Sequence, residues 1–110
     1  IELWPRNLPG GDTPEDAERY ERKDIDGTRR LLQSQGVSAA CVTLGFRVLA
    51  GCGDRGPGYG TAALDGAVDA AVALGAPLVN CYLAGIPPDL FVAAARPAAD
   101  RAAARGVTIV

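Results

Sequence analysis

Histidine and methionine are missing altogether from these 110 residues, and a single tryptophan and 5% aromatics leave little to stack or to ligate. Without histidine, the chain has no imidazole base and no His-containing metal set. The three cysteines, Cys41, Cys52 and Cys81, are widely spaced and form no C-x-x-C pair, so neither a structural zinc site nor a disulfide framework is expected. Cys41 and Cys81 read as small core hydrophobes, and reduced thiols suit a cytoplasmic protein. Charge of one sign is lacking too. Eleven basic against thirteen acidic residues give a net charge of −2, which leaves no basic face for nucleic acid. No apolar run reaches the length of a membrane span, and no signal peptide opens the chain, so no membrane association is expected.

What is present is 48% hydrophobic, enough to build the core of one domain over residues 1–110. Fourteen glycines and eight prolines punctuate apolar runs, which is the pattern of connections rather than of disorder. Ile1–Trp4 reads as the tail of a strand, and 5–11 as a turn-rich loop. Thr13-Pro14-Glu15-Asp16 has the makings of a helix start, with Thr13 as cap and Pro14 in the first helical position. Ala17, Tyr20, Ile25, Thr28, Leu31 and Leu32 follow at helical spacing up to Gly36, as one helix or as two broken near 24–27. Ser38–Leu44 and Pro77–Leu83 read as buried parallel strands, and Val107–Val110 as another. Between them lie a helix over Thr61–Leu74, with Leu64, Val68, Ala71 and Val72 inward, and an alanine-rich helix over Pro88–Arg105. Pro97 should kink or split the latter.

The order strand, helix, strand, helix, strand, helix, strand predicts an α/β fold of parallel β/α units. The strands expected from 38, 77 and 107 lie about 39 and 30 residues apart, near the ~31 per unit of a (β/α)8 barrel. The chain would supply about half of one. It opens without Met and stops inside a strand, as an excerpt would. Two alternatives stay open. One is a non-catalytic half-barrel completed by a partner, its open edges favouring a homo-oligomer. The other is an open flavodoxin-like sheet binding phosphate near Thr61.

"GCGDRGPGYG" over 51–60 spells G-x-G-x-x-G. A dinucleotide loop needs a strand running into the first glycine and a helix opening at the last. Here Arg47–Ala50 intervene before Gly51, Pro57 and Gly58 follow Gly56, and the helix is expected only from Thr61. The run is therefore read as a mobile rim loop over 47–60, and no nucleotide cofactor is expected.

Strand alternation selects the pocket. Val79, Cys81 and Leu83 form one apolar parity that should face the helices, leaving Asn80 and Tyr82 on the other face. The same rule sends Ile1, Leu3, Val42, Leu44, Val107 and Ile109 toward the helices. Glu2, Trp4, Cys41, Thr43, Gly45, Thr108 and Val110 go to the opposite side. Glu2, Trp4, Thr43, Asn80 and Tyr82 thus converge on a polar, aromatic-walled cup suited to a sugar or polyol. The plainer alternative is that Asn80 and Thr43 satisfy each other within a core.

The stretches "IEL", "DIDGTRRLLQSQGVSAACVTLG", "ALDGAVDAAVALGAPLVNCYLAG" and "AADRAAARGVTIV" resemble the xylose-isomerase-like TIM-barrel superfamily of sugar phosphate isomerases and epimerases. The resemblance spans nearly the whole chain and maps it to strands 2–5 of that pattern. It implies a parent enzyme that moves a proton next to a carbonyl with a divalent metal such as Mn, Mg, Co or Zn. It places the first metal carboxylate two residues beyond Val110, so no metal ligand is assigned here and the 110 residues alone are expected to be inactive. Many members carry a histidine near the end of the fourth strand, where this chain has Tyr82.

Overall fold

The computed structural model describes residues 1–14, 16–45, 57–82 and 87–110. Four strands, β1 (Glu2–Leu3), β2 (Cys41–Leu44), β3 (Leu78–Cys81) and β4 (Thr108–Ile109), form one sheet in the order β1-β2-β3-β4. Every neighbouring pair is parallel, with Leu3 opposite Val42, Val42 opposite Val79 and Val79 opposite Ile109. The connections run through α1 (Ile25–Ser34), α2 (Pro57–Leu74) and α3 (Pro88–Ala104). The protein is α/β with a four-stranded parallel sheet, as the alternation of patterns predicts. Among the described residues no helix is long and apolar enough to cross a membrane.

The strands are shorter than the apolar runs suggest, because each run supplies its turn as well as its ladder. Bonds from Ala40 N–H to the Ile1 carbonyl (2.7 Å) and from Val110 N–H to the Val79 carbonyl (2.8 Å) carry the ladders slightly further. Alternation then sorts the faces. Leu3, Val42, Leu44, Val79 and Val107 are buried in one cluster with Leu64, Val68, Ala71, Ala98 and Ala102 of the helices, and Cys81 and Ile109 pack against it. Ile1 departs from the expected inward set: it is 55% exposed, at the sheet edge beyond the helical cover. Leu83 lies outside the described residues.

Helix α2 packs on β2 and β3 and touches α1 and α3 on either side. Its contact residues are correspondingly small, with Ala63, Ala67, Ala70 and Ala71 all buried. Val72, expected inward, is exposed instead. Asp65 and Asp69 face solvent and pair across the groove with Arg101 and Arg105 of α3. Helix α3 runs through Pro97 without splitting and turns the stripe Ala95, Ala98, Ala102 toward the core.

Helix starts depart most from expectation. Helix α2 opens at Pro57, not Thr61, so Thr61 lies a full turn inside it rather than at its start. Proline is well placed at the first helical position, where its missing N–H would have had no partner. Of the rim loop expected over 47–60, residues 57–60 are helical, and the rest of that expectation falls on residues outside those described. Thr13 does accept from Asp16 N–H (3.1 Å), but only a 3-10 turn over Asp16–Glu18 follows. A second 3-10 turn occupies Tyr20–Arg22, and α1 begins at Ile25 with the Asp24 carboxylate accepting from Gly27 N–H (2.8 Å). Ala17 and Tyr20 are thus not on the helix, and Leu31, expected inward, is 61% exposed.

The three described helices end alike. Val37, Ala76 and Val107 donate to the carbonyls of Leu32, Ala71 and Ala102, at 3.0, 2.8 and 2.9 Å. The glycines just before them, Gly36, Gly75 and Gly106, take φ of 65°, 71° and 76°. This is the Schellman arrangement, which requires a left-handed residue just past the helix.

Candidate functional site

The face of the sheet turned away from the helix cluster carries Glu2, Trp4, Thr43, Asn80 and Tyr82, the five residues that alternation selects. Two contacts bind four of them together. The Thr43 hydroxyl donates to Glu2 Oε1 at 2.6 Å, and the rings of Trp4 and Tyr82 stack with centroids 5.5 Å apart and planes inclined by 24°. Thr43 is fully buried, whereas Tyr82 is 47% exposed. Asn80 is half-buried and lies beside Thr43 in the ladder, but Thr43 turns to Glu2. Mutual satisfaction of Asn80 and Thr43 is therefore not what forms. The Asn80 amide has no hydrogen bond among the described residues, so it retains its capacity to donate and to accept.

The aromatic stack spans three strands. Trp4 follows β1 and Tyr82 follows β3, so β2 runs between them; backbones two strands apart are separated by about 9.5 Å. Gly45, at the end of β2, lies beside the indole and leaves room there. A Cβ there would lie 3.8 Å from Trp4 Cζ3 and 3.6 Å from Glu18 Oε2. The Tyr82 N–H reaches the Leu44 carbonyl (3.4 Å) and holds that strand end in line.

Two residues of the loop between β1 and α1 join the site without any sequence signal. Tyr20 is almost completely buried, and its phenol sits where β1 and β2 part. It donates to the Leu3 carbonyl (2.6 Å) and accepts from Thr43 N–H (3.0 Å). Burial raises the phenol's pKa above its ordinary value, opposed by the Thr43 backbone bond and reinforced by Cys41 and Glu2. Glu18, largely buried, pairs with Arg6 through Oε1. Its Oε2 has no hydrogen bond among the described residues and lies toward Gly45. Alternation could not find either residue, since it applies only within strands.

Elsewhere, a cleft of about 380 Å³ lies between this loop and α2, lined by Glu21, Lys23, Asp24, Asp26 and Asp69 among others. Its charges are already engaged: Glu21 with Arg19, Lys23 with the Gly10 carbonyl, Asp24 at the head of α1, Asp26 with Arg29 and Asp69 with Arg105. Cys41 and Cys81 are free thiols. Burial pushes the Cys81 pKa up to about 12. Among the described residues no three acidic or cysteine side chains stand together as a metal site.

No protein-family model matches the chain, and no curated protein matches it either.

Proposed function

We propose that the chain is the substrate-binding part of a (β/α)8 sugar isomerase or epimerase, in which the sheet face turned away from the helices holds a sugar or sugar phosphate while a proton moves next to its carbonyl. The observation that carries this reading is the pairing of Glu2, which opens β1, with Thr43 of β2, on the sheet face whose C-terminal strand ends carry the Trp4–Tyr82 stack. A carboxylate and an amide can fix hydroxyls, and aromatic rings can cover the apolar C–H face of a polyol. C-terminal strand ends are where barrels of this class place their chemistry.

Sheet order supports the barrel over the flavodoxin-like alternative. Four parallel strands in strict succession, with the apolar face of each turned to the same helices, lack the reversal of order at which open doubly wound sheets bind ligands. Pro57 opening α2 leaves Gly58 and Gly60 inside a helix, and β2 ends at Leu44, well short of Gly51. A dinucleotide loop gains nothing from this arrangement.

The divalent metal implied by the resemblance finds no three-ligand set among the described residues, and no step is assigned to it here. The part proposed for this chain is to bind and orient the substrate, in a cytoplasmic parent enzyme. A non-catalytic half-barrel completed by a second copy or another partner is the other reading, favoured by Leu78, Tyr82 and Val110, all exposed on the face away from the helices among the described residues.

Deuterium exchange separates the two. The parent polypeptide, given a ketose or its phosphate and a divalent ion in D2O, is expected to exchange the hydrogen next to the carbonyl, followed by proton NMR. Glu2→Gln should reduce that exchange at least tenfold with little change in melting midpoint. Absence of exchange with every ketose tried, or full exchange by the variant, would refute the enzymatic reading.

A further inference from the structure

The Tyr20 phenol grips both strands that carry the Glu2–Thr43 pair. Its oxygen stands 2.6 Å from the Leu3 carbonyl and 3.0 Å from both the backbone nitrogen and the carbonyl oxygen of Thr43. Leu3 lies between Glu2 and Trp4, and its carbonyl belongs to the peptide group that leads into the indole residue. Thr43 is the residue whose hydroxyl binds Glu2. One phenol thus holds the peptide groups from which a carboxylate, a hydroxyl and an indole of the site are hung.

Tyr20 is itself held from behind. It opens the 3-10 turn Tyr20–Arg22, which Lys23 N–H closes on the Tyr20 carbonyl (3.0 Å), and that turn packs on α2. Gly66 of α2 lets it come close, since a Cβ there would lie 2.6 Å from Glu21 Oε2. The ends of the loop are tied together as well. Asp24 N–H donates to the Pro9 carbonyl (2.9 Å), and the Lys23 ammonium donates to the Gly10 carbonyl (2.7 Å). A buried side chain fixed at its root and hydrogen-bonded at its tip can dictate the place of what it binds.

We infer that Tyr20 is a positioning residue of this site, setting where Trp4 stands against Tyr82 and how Thr43 presents its hydroxyl to Glu2. It acts through Leu3 and Thr43 rather than on a ligand, and its bearing on turnover rests on the reading of this face as a sugar site. Tyr20→Phe keeps the ring and removes only the hydroxyl. In the folded variant, with its far-UV circular dichroism unchanged, NOEs between the Trp4 and Tyr82 rings should be at least halved. Emission from Trp4, the sole tryptophan, should shift in wavelength. A residue that only adds stability leaves the native spectrum alone. Gly36→Ala, just past α1, is that control: it should lower the denaturation midpoint and leave the ring NOEs and the emission unchanged. Thr43→Val removes the hydroxyl but keeps the N–H that the phenol accepts from, so the ring NOEs should persist. In the ketose exchange assay on the parent polypeptide, Tyr20→Phe should lower kcat/KM at least fivefold, and Gly36→Ala should not.

Ring NOEs and Trp4 emission like those of the parent sequence in folded Tyr20→Phe would overturn the inference. So would their loss in Thr43→Val, which would give the Glu2–Thr43 pair that role and is decisive even where Tyr20→Phe does not fold. Absence of exchange with every ketose tried would refute the sugar reading instead, and the placing of Trp4 by Tyr20 would still be decided by the spectra.

Discussion

The Tyr20 phenol does the work of a missing strand residue. Where β1 ends, Thr43 N–H would be left without a partner inside the protein, and the phenol oxygen supplies one while donating to Leu3. Leaving such a buried donor unsatisfied costs about 1–3 kcal/mol, so Tyr20→Phe should lower stability by that order, read as a shift in denaturation midpoint. Protonation adds a second signature. The Tyr20 phenol and the Cys81 thiol both hold their protons more tightly when folded, because burial disfavours the anions. An unfolded chain releases those protons first, so raising the pH favours unfolding. The Cys81 contribution is intact below the ordinary thiol value and is lost as pH climbs toward about 12. That of Tyr20 starts to fall near pH 10. Stability measured from pH 8 to 12 should therefore decline, and Cys81→Ala and Tyr20→Phe should each flatten the decline. An unchanged slope in both variants would contradict the burial of these groups. Glu2, Trp4, Thr43 and Tyr82 were legible in the sequence because a two-residue period is rigid: once Val79 and Val42 face a core, their neighbours cannot. Tyr20 and Glu18 were not, since 3-10 turns set side-chain directions that no simple period encodes.

At the scale of elements, helix ends were easier to read than helix starts. Gly36, Gly75 and Gly106 each stand at the end predicted for a helix, because a left-handed residue there is a demand that glycine alone meets cheaply. No atom lies within 4 Å of a Cβ built on Gly36, so a substitution there tests the backbone alone. Gly36→Ala should cost about 1–2 kcal/mol, the penalty of the left-handed conformation for a residue with a Cβ. Gly36→Asn should cost less. Equal stability of the alanine variant, by urea denaturation, would mean that α1 ends in some other way. Starts are less determinate. Thr13-Pro14 and Thr61 both carry capping chemistry, yet Asp24 and Pro57 stand at the actual starts. A cap satisfies a local donor whether one turn follows or five, and the packing of α1 and α2 against each other and the sheet decides which turn is extended. Pro97 shows the converse, a local helix breaker carried through α3 while Ala95, Ala98 and Ala102 seat on the core.

For the whole molecule, the Trp4–Tyr82 stack has a consequence in time as well as in space. Each strand pairs only with its neighbour in sequence, but the two rings belong to strands that never touch. They can meet only after β2 has paired on both sides, at a sequence separation that makes early encounter entropically costly. The stack is thus a clock hand for the last event at that end of the sheet. In a stopped-flow refolding experiment the far-UV signal of α1, α2 and α3 should recover first, and the change in Trp4 emission should lag behind it. Coincident phases would mean that β1, β2 and β3 assemble in one step, with the indole already in place when the helices form.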